Sequence, residues 1–135
     1  MHLTRLERRI LALLEEAGEE NVVSLTNSVA NPQGACHEID NFVGALITLL
    51  NAGLIELASK RDESTLRWVG LPKVESQSRL NELQNSLQWN TEKGIWNWAG
   101  AGERPEAILT SSGRKTARQV LSEDGWPTEP LGDYF

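Results

Sequence analysis

Apolar residues recur along the first half of this chain at two periods. Leu3, Leu6, Ile10, Leu13 and Leu14 follow a helical repeat. Thr4 precedes them with Glu7 three residues later, the spacing of a capping box, and Gly18 stands where a helix would stop. These features predict a helix over 4–17. Ser24 is placed to cap a short second helix carrying Leu25 and Val29 inward, and Asn31-Pro32-Gln33-Gly34 must turn the chain. Phe42, Ala45, Leu46, Leu49 and Leu50 form the stripe of a third helix that Asn51-Ala52-Gly53 ends. The pattern then changes to strand-like runs, 54–57 and 65–69, around the polar tip Ser59-Lys60-Arg61-Asp62-Glu63-Ser64.

The second half is less regular. Pro72 interrupts the chain, and Leu80, Leu83 and Leu87 predict a helix over 74–87. Residues 94–98 and 106–110 read as a second hairpin about Gly100-Ala101-Gly102, and Ser111 or Ser112 is placed to cap a helix running to about Leu121. The expected organisation is therefore residues 1–72 as one domain, 73–122 as a helix, hairpin and helix extension, and 123–135 as an acidic aromatic tail. The fold class is α+β, mainly α.

Three helices with a tight turn between the second and third, followed at once by a hairpin, is the order of a winged helix-turn-helix. The passage Leu46-Ile47-Thr48-Leu49-Leu50-Asn51-Ala52-Gly53-Leu54-Ile55-Glu56 resembles the L-x-x-L-x-x-x-G-L-I phrase of winged-helix regulators of the MarR and PadR kind. In those proteins the glycine ends the recognition helix and the next apolar residues open the wing. Leu109-Thr110-Ser111-Ser112-Gly113-Arg114 resembles a second phrase of such regulators, L-T-x-x-G-R, which normally closes the first wing. Here it lies some forty residues further on.

The resemblance implies that the third helix reads DNA, as a homodimer, with the wing on the phosphates. Its outward positions are His37, Asp40, Asn41, Gly44, Thr48 and Asn51, none of them basic. Asn41 suits adenine and Thr48 suits a base or a phosphate, with His37 and Asn51 beside them. Lys60, Arg61 and Arg67 are placed for phosphates, and Arg5, Arg8 and Arg9 for the same face. Set against this, the net charge of −6 gives nucleic acid no general attraction, so any DNA contact needs a local basic patch. Asp62 and Glu63 offset Lys60 and Arg61, and Arg114, Lys115 and Arg118 read as a solvated helix face.

Two functional readings stay open. One is a DNA-binding regulator; the other is a module of the same fold that holds a protein partner. Five tryptophans favour either a packed core or an aromatic surface: Trp96 and Trp98 share one face of a strand, and Trp126 lies in the tail. Cys36 and His37, with His2 the one other histidine, do not make up a zinc set, so no metal or other cofactor is expected. Gly100 and Gly102 lack the rest of a dinucleotide-binding phrase, and no nucleophile–base arrangement emerges, so no enzymatic activity is expected. The chain lacks a signal-peptide pattern or a long apolar run, and the lone cysteine gives no reason to expect an oxidising compartment. A cytoplasmic protein with no membrane association is the expectation.

Overall fold

The computed structural model describes residues 2–29, 36–100 and 104–125. The chain is α+β, with more than half of the described residues helical. Among the described residues, no helix is long and apolar enough to cross a membrane. The expected Pro-Gly turn at 31–34 and the aromatic tail from Trp126 lie outside the described residues, as do the side chains of Cys36, His37, Lys60 and Arg61.

Helix α1 (Arg5–Ala17) begins and ends where its caps dictate. The Thr4 hydroxyl accepts from the Glu7 N–H at 3.1 Å and the Glu7 carboxylate accepts from the Thr4 N–H at 2.9 Å. Gly18, at φ 85°, donates its N–H to the Leu14 carbonyl at 2.8 Å. A short strand β1 (Glu19–Asn21) leads into α2 (Val22–Val29), which starts two residues before the expected cap. Asn21, not Ser24, does the capping: its side-chain oxygen accepts from the Ser24 N–H at 2.9 Å. Helix α3 (Cys36–Asn51) buries Ile39, Phe42, Leu46 and Leu49 on one arc.

Strand β2 (Ile55–Arg61) and strand β3 (Trp68–Gly70) pair antiparallel, with a register shift between Ala58 and Arg61. The hairpin expected after α3 thus forms, with a longer outgoing strand and a shorter return. Next come α4 (Lys73–Asn81), the single turn α5 (Leu83–Ser86) and β4 (Leu87–Asn90). The continuous helix expected over 74–87 is therefore broken. Leu80, Leu83 and Leu87 are all buried, as the stripe predicted, but Leu87 already belongs to a strand.

Strand β5 (Ile95–Trp98) pairs with β4, not with the segment expected to be its partner. The turn between them is built by Asn90, whose carbonyl accepts from the Gly94 N–H and whose side chain accepts from the Lys93 N–H, with Gly94 at φ 65°. Strand β5 and residues 106–109, expected to pair about Gly100-Ala101-Gly102, lie in different sheets, and Ala101 and Gly102 fall outside the described residues. Strand β6 (Glu106–Leu109) goes instead into the main sheet, between β1 and β2, giving the order β1-β6-β2-β3. Ile55 faces Leu109, Leu57 faces Ala107, and Glu19 faces Ile108. Helix α6 (Ser111–Asp124) then packs along α1. One hydrophobic core joins α1, α2 and α3 with Leu80, Leu83, Leu87, Trp96, Ala107 and Ala117. The closing strand and helix are thus part of the same sheet and core as the first three helices, and residues 62–105 form an excursion between two adjacent strands.

Candidate functional site

The junction between α3 and β2 is fixed by the two phrases singled out in the sequence, which touch. Gly53 takes φ 74° to leave α3, a region open to glycine without a Cβ penalty. The Leu54 N–H then donates to the Leu49 carbonyl at 3.0 Å. Thr110 binds this turn twice: its N–H donates to the Leu54 carbonyl at 3.1 Å and its hydroxyl donates to the Gly53 carbonyl at 2.6 Å. The same hydroxyl accepts from the Gly113 N–H at 2.9 Å and so caps α6. Gly113 packs so closely that a Cβ built on it would overlap the Leu54 carbonyl oxygen and lie 2.7 Å from its carbon. This contact sets the C-terminal end of α3 and the start of β2 rigidly against the end of β6.

From that anchor α3 projects a stripe of solvent-exposed residues: Asp40, Asn41, Gly44, Thr48 and Asn51. Helices α4 and α5 pack on α3, yet they leave this stripe uncovered. The Thr48 hydroxyl donates to the Gly44 carbonyl at 3.0 Å, so toward a partner it is left chiefly as an acceptor. Asn41 and Asn51 stand exposed on the same side. The stripe carries one charge, the Asp40 carboxylate. Glu38, two residues and so about half a turn nearer the start of the helix, is turned into the core at 2% exposure and faces away from Asp40.

The tip of the β2–β3 hairpin is a rigid acidic turn. Asp62 accepts three hydrogen bonds on one carboxylate oxygen, from the Ser64 hydroxyl at 2.6 Å and from the Ser64 and Thr65 N–H groups at 2.9 and 3.0 Å. These bonds, the Ser64 hydroxyl foremost, lower its pKa from 3.8 to about 2. Leu66 follows at φ 60°, 69% exposed, and Arg67 is exposed beside it. Lys60 and Arg61 end β2.

Arg8, one of the cations expected near this face, is engaged elsewhere, and so are two arginines of α6 that the sequence left as a solvated face. Arg8 donates to Asp124 and Glu123 on α6, at 2.8 Å to each. That arrangement raises the Arg8 pKa and lowers both carboxylates, its hydrogen bonds being the main cause in each case. Arg118 and Arg114 both reach Glu15 on α1, at 3.1 and 3.6 Å. These pairs staple α1 to α6. Glu123 and Asp124, read from the sequence as the start of an acidic aromatic tail, are helical and hold one half of that staple.

Trp96 and Trp98 do share a strand face, but it is directed inward. Trp96 is 5% exposed and meets Trp89 edge to face at a centroid separation of 5.4 Å, while Trp98 is half-buried opposite Leu87. Trp96 is therefore core and is not available as a partner surface. Its backbone is held by Asn27 of α2, whose amide oxygen accepts from the Trp96 N–H at 2.8 Å and whose amide N–H donates to the Trp96 carbonyl at 3.0 Å. Sequence reading missed this latch, which joins residues 69 positions apart. The Asn90 to Gly94 turn was a signal that could have found the hairpin itself. No family model, no curated protein and no solved structure matches this chain.

Proposed function

We propose that the chain is a winged-helix module whose α3 face and hairpin bind a protein partner rather than duplex DNA. The strand pairing supports the winged-helix reading. In the regulators that the chain resembles, the L-T-x-x-G-R phrase closes the wing, and here the strand bearing it, β6, pairs directly with β2 despite the intervening excursion.

The observation that carries the protein-binding reading is the charge of the exposed face. Among the described side chains of the α3 stripe, the hairpin and the groove beside it, Asp40, Glu56, Asp62 and Glu63 are exposed against two exposed cations, Arg67 and Lys73. Counting Lys60 and Arg61 by sequence still leaves that face without a positive excess. Phosphate contacts supply most of the sequence-blind affinity for DNA, and such a face supplies few. Neutral amides and a hydroxyl flanked by carboxylates suit a polar or basic protein surface.

A second reading, sequence-specific DNA binding by a homodimer, is favoured by the exposure of Asn41, Thr48 and Asn51 on one uncovered stripe, with Arg67 at the hairpin. Fluorescence anisotropy decides between the two, using a mixed-sequence duplex and the upstream region of the protein's own gene at low and moderate salt. The expected result is no binding at low salt. Salt-sensitive binding that disappears in a Lys60→Glu/Arg61→Glu variant would overturn the protein-binding reading and make the hairpin a phosphate clamp.

A further inference from the structure

Three cations of α6 line one cleft. Leu109 and Thr110 at the end of β6, with Ser111, Arg114, Lys115 and Arg118 of α6, bound a volume of about 360 Å³. Arg114 and Arg118 approach Glu15 of α1 at 3.6 and 3.1 Å, each through its Nε. A guanidinium held by Nε keeps its two terminal amino groups for another acceptor, and a fork of this kind can grip two oxygens of one oxyanion. Both arginine side chains stay more than half exposed, whereas that of Glu15 is largely buried between them and α1. Lys115 is exposed and has no ion pair or hydrogen bond among the described residues, and the same holds for the Ser111 hydroxyl.

Three positive charges against one carboxylate leave the cleft an excess of two, in a chain whose net charge is −6. A cleft lined by one sign of charge focuses the field and concentrates counter-ions. The size of the excess selects among them. A phosphate monoester carries about −1.5 to −2 at neutral pH and so matches it, whereas a lone carboxylate would leave half of it unmet. The surroundings select for a small ligand. The volume lies at the low end of the range of about 300–1,000 Å³ usual for small-molecule sites. On the α1 side, Glu16 and Glu19 follow Glu15 closely in the chain, so an extended polyanion would meet negative charge beyond the cleft.

We propose that this cleft binds a phosphate dianion, either free or as the monoester of a small molecule, with Arg114, Lys115 and Arg118 neutralising it and the Ser111 hydroxyl donating to it. The site is separate from the α3 face and stands whether that face meets protein or DNA.

Amide NMR titration of the full chain at constant ionic strength tests it, with sodium phosphate, glycerol phosphate and sodium chloride as probes. Saturable shifts centred on residues 111–118 are expected with both phosphates and not with chloride. Tighter binding of glycerol phosphate assigns the monoester, and equal or weaker binding assigns free phosphate. Lys115→Glu weakens binding roughly tenfold or more, the loss of one charge-assisted hydrogen bond. Because Lys115 is exposed and unpaired, that variant keeps the wild-type circular dichroism spectrum and melting temperature. Lys93→Glu, which removes an exposed cation on the β4–β5 turn, leaves binding unchanged. The proposal is overturned if phosphate gives no saturable shift, if chloride reproduces it, or if Lys115→Glu leaves the affinity intact. A mixed-sequence DNA duplex that shifts the same residues at lower concentration than either phosphate also overturns it, and makes the cleft a nucleic-acid contact.

Discussion

Substituting Gly113 by alanine probes the contact on which the candidate face is built. The added methyl would overlap the Leu54 carbonyl oxygen and sit 2.7 Å from its carbon and 3.2 Å from its Cα. The obstruction is backbone in a turn already committed to Gly53, so it cannot swing aside. Helix α6 must instead withdraw, stretching the 3.1 Å bond from the Thr110 N–H to Leu54 and the 2.6 Å bond from its hydroxyl to Gly53. Overpacking of this kind costs about 1–3 kcal/mol. Each weakened hydrogen bond adds about 0.5–1.5 kcal/mol. Alanine returns up to about 1 kcal/mol through its better helix propensity. The expected loss is about 1–6 kcal/mol, a fall in melting temperature of roughly 4–20 °C for a chain of this size. Urea unfolding followed by circular dichroism measures it. Gly70→Ala is the contrast, since the nearest obstacle there is the free end of the Glu56 side chain, and it is expected to stay within about 0.5 kcal/mol of wild type. If Gly113→Ala is equally mild, the rigid junction between α3, β2 and α6 is refuted.

Other outcomes follow from the same contacts. The Asp62 carboxyl is expected to titrate at about 2 by NMR, and Ser64→Ala to move it back toward 3.8, because the Ser64 hydroxyl is the largest cause of the shift. Arg8→Ala is expected to cost about 0.5–1 kcal/mol, the pair being half exposed on its acidic side. Glu123 and Asp124 have lowered pKa values in the folded chain, so their contribution is complete above the ordinary carboxylate range and is lost as pH falls through the lowered values. Melting curves of wild type and Arg8→Ala should accordingly converge on acidification. Asn27→Ala removes both bonds to the Trp96 backbone and is expected to cost about 1–3 kcal/mol, with loss of the near-ultraviolet tryptophan signal. Trp96→Phe should be far milder, because the indole N–H is buried without an acceptor among the described residues and its removal offsets part of the lost packing.

What the sequence revealed was local. Thr4, Glu7 and Gly18 bound α1 through contacts no more than four residues long, and the stripe on α3 separates the buried Phe42 and Leu46 from the exposed Asn41 and Thr48 by period alone. Strand partnership is a different kind of information. Alternation along 106–109 shows that a strand exists but not which edge it joins, so the nearest unpaired run, 94–98, was the natural and mistaken partner. The Leu80, Leu83, Leu87 spacing satisfies a helical stripe even though Leu87 is a strand residue, because both elements bury a side chain at that position. The fate of the arginines was the least legible part. Arg8 finds its acids 115 and 116 residues away, and nothing near it in sequence predicts their position. Only the fold shows that this charge is spent on joining α1 to α6 and is absent from the face α3 presents.

The position of β6 also dictates an order of events during synthesis. It is the last strand of the described chain to leave the ribosome, yet it stands second in the sheet, between two strands made much earlier. Until residues 106–109 emerge, β1 has no neighbour and β2 exposes the side it will later give to β6. A chain cut short before this point keeps its apolar helices but displays two open edges where the complete protein has a closed seam. Such fragments should aggregate rather than fold, and the full chain should complete its sheet only in a late step, when β6 joins β1 to the β2–β3 hairpin.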